Sequence, residues 1–355
     1  MQARAPNGAC LEQLVKMAIP TFRAAARECP RTQPGRPPQF QDWQIGVLIL
    51  VAVLNRRKSK SAQYHFLDER RTQLMQWLGM VNFPVRSTYF IRYRHAYPFL
   101  QLAVRLQGRR AIAKGVAQPA VVAVDKSLVG AKGCPWYRNR GRPIQPPPPG
   151  VDRQAGWGRS KHDGWVWGYS YETVVTAPGR GAGFPLLASA APANLSEYHS
   201  FKDKIPQLPP ETRHVLADGG YDSNGYQEAI EYDDKGRPTG CHFLCPMVRR
   251  GAKPEVGRYP QRGRRGLLLK RRKARLKYLQ SALGQRLYKR RSKTIEPFHD
   301  WLKNSFELTD RVWHRGLQNN QTQLMAAIAA YQLLVLYNYK KGKRNAQIQA
   351  ILDRL

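Results

Sequence analysis

Three carboxylates stand where a pair of divalent cations would need them: Asp125, Asp218 and Glu296. Asp125 and Asp218 each close a short apolar run, Val121-Val122-Ala123-Val124 and His214-Val215-Leu216-Ala217. Glu296 opens an amphipathic stretch that continues through Phe298, Trp301, Leu302 and Lys303. An apolar strand ending in Asp buries its length in a sheet and delivers the carboxylate to the crevice at its carboxyl end, where α/β folds hold ligands. If the two strands are parallel neighbours, their carboxylates approach closely, and like charges so placed raise one another's pKa unless a cation intervenes. Mg²⁺ or Mn²⁺ meets that need, since hard cations take several carboxylate oxygens. Two such ions about 3.5–4 Å apart can activate an attacking hydroxyl and stabilise a leaving oxygen in phosphodiester chemistry. Taken singly, Asp125 also reads as a turn cap and Asp218 as the anchor of an Asp-Gly-Gly turn.

Acids are scarce here, which makes their placement informative: 59 Lys+Arg face 24 Asp+Glu, for a net charge of +35 and a pI near 10.5. Such an excess implies a polyanionic partner, with DNA or RNA foremost, and tight salt-sensitive phosphate contact. A hydrophobic share of 42% with 10% aromatics excludes a disordered basic tail. The 355 residues allow one large domain and one or two smaller ones. Five scattered cysteines, an odd number, suggest a reducing compartment without a disulfide framework, and Cys241-x3-Cys245 has no second pair nearby to complete a zinc site. The N-terminus lacks a signal-peptide pattern, and the apolar stretches Ile45 to Leu54 and Leu324 to Leu336 are too short or too interrupted to span a bilayer. The expectation is a cytoplasmic protein with no membrane partner.

The elements that must position the acids follow from the patterning. Residues 1 to about 110 read as helical, with a Pro/Gly-rich linker from Arg31 to Pro38 ahead of an apolar helix from Trp43 to Leu54. Ser87 is the expected N-cap of a short helix carrying Arg92 and Arg94, with Arg86 just before it, in the manner of the groove-entering helix of a helix-turn-helix unit. Strands begin at Ala120. Trp165, Trp167, Tyr169 and Tyr171 alternate along one strand and are expected as core beneath helices. A strand from Phe184 to Ala190, a short helix from Tyr198 to Ile205, the Asp218 strand, a helix from Ser223 to Tyr232 and a strand from Cys241 to Val248 complete a mixed sheet. Between Arg249 and Lys293 lie 18 Lys/Arg, including Arg271, Arg272 and Lys273, and the single acid Glu255, a pattern that suits a DNA channel but shows no periodic helix start. Thr294 is expected to cap a helix whose first turn holds Glu296 and Pro297. Ile295, Phe298, Leu302 and Phe306 then form its buried stripe. Lys303 falls on nearly the same face as Glu296, about 10 Å along the axis, a spacing suited to one metal ion and one neighbouring phosphate. The helix from Leu324 to Tyr339 is apolar nearly all round and should be buried.

From about residue 84 to residue 340 the sequence resembles the DDE transposases of bacterial insertion sequences, in the large group typified by insertion sequences four and five. The resemblance rests on Asp125 in Val-Asp-Lys-Ser, Asp218 in Ala-Asp-Gly-Gly-Tyr-Asp-Ser, and the Ile-Glu-Pro-Phe…Leu-Lys segment, with 92 and 77 residues between successive acids. That group places its Glu in a Tyr…Arg…Glu…Lys signature. Tyr288 and Arg291 keep the first spacing and Glu296 and Lys303 the last, but four residues separate Arg291 from Glu296 where the group has three, which puts Ser292 at the strict Arg position. The resemblance implies an α/β fold with an RNase H-like mixed sheet flanked by helices over 111–345, including the basic segment 249–293. A small all-helical DNA-binding domain over 1–110 precedes it, and a C-terminal tail over 346–355 follows. It further implies metal-dependent cleavage at element ends by Asp125, Asp218 and Glu296 with two ions, strand transfer into target DNA, a homodimer in the active complex, and a nucleoid-associated location. Lys303, Tyr288, Arg291, Arg86, Arg92, Arg94, Arg271, Arg272 and Lys273 are the expected DNA contacts. Competing expectations are a metal-dependent nuclease that cuts without joining and a DNA-binding protein that keeps the fold without chemistry. Trp136 and Trp157, after Asp125, are candidates to stack on a displaced base.

Overall fold

The computed structural model describes residues 8–29, 39–139, 142–143, 145–160, 163–179, 181–247, 263–343 and 347–355. The expected linker from Arg31 to Pro38 and the first part of the basic segment, 249–262, lie outside the described residues. Ahead of the sheet come α1 (Gly8–Glu28), α2 (Asp42–Leu54), α3 (Lys60–Glu69), α4 (Arg71–Leu78), α5 (Arg86–His95) and α6 (Tyr97–Ala113). Every residue of α2 from Trp43 onward is buried, as its mostly apolar sequence requires, and the one polar residue among them, Gln44, donates its amide to Leu78 O. α6 crosses the expected boundary near residue 110 and packs against both the sheet and the last long helix. At Gly108 the approach is so close that a Cβ would stand 2.9 Å from the carbonyl oxygen of Leu186. One hydrophobic cluster runs from Leu11 to Leu352 without a break between the helical region and the sheet.

The strands are β1 (Val121–Gly130), the pair β2 (Arg138–Asn139) and β3 (Arg142–Pro143), then β4 (Gly156–Ser160), β5 (Gly164–Thr176), β6 (Pro185–Pro192), β7 (His214–Leu216) and β8 (His242–Leu244). Across the main sheet the order is β6-β5-β1-β7-β8, with β4 sharing the β6 edge of β5. β5 is antiparallel to β1 and β6 to β5, whereas β7 runs parallel to β1 and β8 to β7. This is the expected RNase H-like mixed sheet. Between strands lie α7 (Glu197–Ser200), the 3-10 turn Lys202–Gln207 and α8 (Asn224–Glu231), capped by Ser223. After β8 follow α9 (Gly263–Gln280), α10 (Ala282–Ser305), α11 (Leu317–Lys340) and α12 (Gln349–Leu352). The amide of Gln332 on α11 donates to Val104 O on α6 and Pro185 O on β6, tying the buried helix to both layers.

Several expectations are corrected. α5 starts at Arg86 behind Val85, and Ser87 caps nothing. The first bond of the helix, from Tyr89 N to Val85 O, is fixed by the complete burial of Tyr89. Thr294 caps no helix either, because α10 is continuous from Ser281, whose hydroxyl accepts from Gly284 N, and Pro297 sits inside it. An internal Pro costs about 3 kcal/mol, and the buried stripe of Ile295, Phe298, Leu302 and Phe306 outweighs it. The described part of the basic segment, expected without helix periodicity, forms α9 and the first half of α10. Tyr169 and Tyr171 are buried as expected, but Trp165 is 66% exposed and Trp167 sits in an aromatic cluster with Trp136 and Trp157, near the sheet's rim. The expected helix from Tyr198 to Ile205 splits into α7 and the 3-10 turn, where Pro206 disrupts the pattern. The last residues pack rather than trail: Ile348, Ile351 and Leu352 are buried.

Candidate active site

β1 does not end at Asp125, as its sequence suggests, but continues to Gly130 along β5. What ends is its parallel neighbour. β7 pairs with β1 only from Val121 to Ala123, so Asp125 lies beside the notch beyond the end of β7, with Asp218 two residues past that end. The two carboxylates therefore meet as parallel neighbouring strands predict. Each divides its oxygens between scaffold and site. Asp125 Oδ1 accepts from the amide of Lys126 at 3.0 Å, and Asp218 Oδ1 accepts from Gly220 N at 2.8 Å, which anchors the Asp-Gly-Gly turn. The two Oδ2 atoms face Arg291.

Arg291, one and a half turns before Glu296 on α10, holds the three acids together. Its Nη2 stands 3.0 Å from Asp125 Oδ2 and 3.9 Å from Asp218 Oδ2, and its Nη1 is 4.0 Å from Glu296 Oε1. The carboxylate side chains are 16%, 36% and 60% exposed in the order Asp125, Asp218, Glu296, so the site opens from a buried floor to a solvent-facing rim. Burial, with the charges of Asp218 and Glu296, pushes the Asp125 carboxyl up to about 6, even though Arg291 and the Lys126 amide pull it down. Burial pulls the Arg291 guanidinium down, but the same acids, Asp125 first, outweigh it and raise its pKa. Tyr288, a turn earlier and half-buried, is pushed up to about 12 by burial. Lys303 is lowered by burial at the far end of the same face.

Two residues that the sequence did not single out join the site. A Cβ on Gly220 would lie 1.7 Å from Glu197 Oε2 and 3.0 Å from Asp218 Oδ1, so the glycine exists where two carboxylates press together. Burial and the neighbouring Asp218 push Glu197 up to about 7, opposed by Lys126, whose Nζ is 3.9 Å away. The segment carrying Glu197 is clamped from behind. Buried Glu172 receives Lys204 Nζ at 2.6 Å, Tyr221 OH at 2.9 Å and the Ser200 hydroxyl. The second residue is His299, one turn beyond Glu296, with Nε2 at 4.0 Å from Asp125 Oδ2 and Nδ1 at 3.2 Å from Tyr171 Oη. Burial, then Lys303 and Arg291, lower its pKa to about 3. Glu197 lacked any signal in the sequence, because its role depends on a turn far along the chain. His299 carried one, the spacing Glu-x-x-His.

With Arg291 between them, the acids stand apart. Among the described residues no three His, Cys, Asp or Glu side chains lie at the spacing of one metal ion's ligands. The donor set nevertheless fits hard divalent cations. It offers three carboxylates around a point already occupied by the positive charge of Arg291, and the buried His299 Nε2 has no hydrogen-bond partner.

The expected DNA contacts divide into free and committed groups. On α9, Arg271 pairs with Glu228 at 3.2 Å and lies 3.6 Å over the Tyr232 ring, Arg272 pairs with Asp222, and fully buried Arg275 reaches Asp222 at 2.6 Å. Lys273 is exposed, in line with Lys270 and Lys277. On α5, Arg92 is held by Phe40 O and Asp42, and Arg86 donates to Ser61 Oγ at 2.7 Å, whereas Arg94 is exposed. Trp157 donates to Trp136 O at 2.9 Å and packs on Trp167, so these rings are occupied with one another.

Residues 117–333 match the transposase DDE domain family. No curated protein matches the chain. Among solved structures, a piggyBac transposase synaptic complex with hairpin DNA, determined by cryo-EM, aligns over 97% of this chain and 78% of that chain, with 8% identity and a TM-score of 0.39.

Proposed function

The chain belongs to the family of transposase DDE domains, and from that premise we propose that it is a transposase that cuts DNA at the ends of a bacterial insertion sequence and joins the freed end to target DNA. The observation that carries this reading is the convergence of Asp125, Asp218 and Glu296 on Arg291, from two parallel strands and a helix within the matched region. These three carboxylates would hold Mg²⁺ or Mn²⁺, two ions in all, which when bound supply an activated oxygen nucleophile and stabilise the leaving oxygen. Arg291 offsets part of the acids' charge in the absence of metal and is then placed to meet a phosphate near the reacting bond. Lys303 marks the next phosphate along the helix.

DNA would reach this centre along exposed cations. Lys270, Lys273 and Lys277 line one face of α9, and Arg286, Lys289 and Lys293 line the face of α10 that leads to Glu296. Recognition of the element ends is assigned to α5, where exposed Arg86 and Arg94 stand beside exposed Val85 and Ile91. That mixture suits phosphates and thymine methyls in a major groove. Arg92, Arg271 and Arg272 serve chiefly as scaffold. The working unit is a homodimer on double-stranded DNA, near the nucleoid. Among the described residues no helix is long and apolar enough to cross a membrane.

The test is to incubate purified protein and Mg²⁺ with duplexes carrying the terminal repeats that flank its own gene. Strand-transfer products support the reading. Cleavage without joining points to a nuclease, and a mobility shift without cutting to a protein that only binds DNA.

A further inference from the structure

We propose that His299 is a nitrogen ligand of the metal centre, and that this ligand biases the site towards Mn²⁺ over Mg²⁺. The inference rests on the active-site reading above and adds a residue that neither the acid triad nor the family match assigns. Glu296 and His299 are three residues apart on α10 and so share a face. Paired Glu-x-x-His side chains on inward-facing helices are a recurrent way to hold two metal ions between carboxylates. His299 is 7% exposed, and its Nε2 is buried without a hydrogen-bond partner among the described atoms. An imidazole serving only as core would leave that buried nitrogen unsatisfied, which is unfavourable.

The nitrogen points at the site. Its 4.0 Å separation from Asp125 Oδ2 is too long for a hydrogen bond, yet within the span of two ligands that share one ion at about 2.0–2.3 Å each. The other side of the ring is fixed as in metal-binding histidines. Nδ1 meets Tyr171 Oη at 3.2 Å, and the ring packs edge-on against Tyr171 at 5.2 Å. With the proton on Nδ1, donated to Tyr171, Nε2 presents its lone pair to the site. A nitrogen donor suits a first-row transition ion, whereas Mg²⁺ prefers an all-oxygen shell.

Pulsed electron spin resonance on the full chain loaded with Mn²⁺ reads this directly. The wild type should show ¹⁴N modulation from a bound imidazole. His299→Asn should lose that modulation while still binding Mn²⁺, and its preference for Mn²⁺ over Mg²⁺ in competition titrations should fall about 10-fold or more. Tyr171→Phe, which keeps the ring packing, should weaken Mn²⁺ binding without removing the modulation. A Mn²⁺ complex of the wild type that lacks nitrogen modulation, in a protein that still cuts DNA, overturns the His299 inference alone. Absence of both Mn²⁺ binding and cleavage overturns the active-site reading with it. The wild-type spectrum decides the matter even if His299→Asn fails to fold.

Discussion

Arg291 is an internal counter-ion: one guanidinium within 3.0–4.0 Å of Asp125, Asp218 and Glu296 stands where external cations would be drawn. Its loss has two consequences. In Arg291→Gln, burial and the charges of Asp218 and Glu296 act unopposed on Asp125, so its pKa should rise above the value of about 6 in the parent chain. A ¹³C-carboxyl titration of the metal-free protein checks this, and an unchanged midpoint would show that the pair is not formed in solution. The same variant should bind Mn²⁺ more tightly, because nothing then competes for the carboxylates. The pH dependence has a definite sign. The folded pKa of Asp125 lies above the unfolded value near 3.9, so ionising it opposes folding. Its contribution to stability falls as pH rises from about 4 to about 6 and stays low above that. Metal binding runs the other way, since only the ionised carboxylate ligates. Cleavage should therefore decline as pH drops through about 6, and a flat profile between pH 5 and 8 would contradict the role of Asp125. The approach of Asp125 to Asp218 was legible, because two apolar runs closed by Asp predict parallel neighbouring strands, although β1 itself continues to Gly130. Glu197 was not, since only folding brings it against Gly220 and Asp218.

At the level of elements, α9 shows what composition alone does not separate, arginines paired with acids from lysines left exposed. A run this basic reads as a nucleic-acid surface, but three of its guanidinium groups face acids. Asp222, 5% exposed in the turn that also carries Asp218, receives both Arg272 and the fully buried Arg275. Removing one partner of a buried pair leaves the other charge unsatisfied, at about 3–5 kcal/mol. Asp222→Ala should accordingly lower the melting temperature markedly and expose α9 to protease, whereas Lys273→Ala should do neither. Equal stability of the two variants would return these arginines to the DNA path. The periodic stripe of α10 was readable from Ile295, Phe298, Leu302 and Phe306. Its start was not, because Pro297 mimics a helix beginning whenever the tertiary burial that overrides it is out of view. The mixed sheet followed from alternating strand and helix patterns, but the extent of β1 past Asp125 depends on its pairing with β5, a long-range fact.

The whole molecule carries a net charge of +35, and the exposed share of it should govern how it holds DNA. Affinity should fall steeply with salt, with a slope near −0.9 per phosphate neutralised. Replacing Lys270, Lys273 and Lys277 together by Gln should reduce that slope by up to about three such increments while leaving the melting temperature nearly unchanged; an unaltered slope would remove α9 from the DNA path. The helical region and the sheet share one core, so end recognition is best tested in the full chain. Arg94→Ala should reduce the preference for terminal-repeat over random duplex, by about 1–3 kcal/mol per lost base contact. The most direct measurement of all concerns the three acids. Asp125→Asn, Asp218→Asn and Glu296→Gln should each bind terminal-repeat DNA as the wild type does, yet give no cleaved strand with Mg²⁺ or Mn²⁺, against metal-dependent cutting by the wild type. A variant that cuts at near wild-type rate would strike its residue from the centre. Cutting by the wild type that persists in the presence of a chelator would contradict the metal-dependent reading altogether.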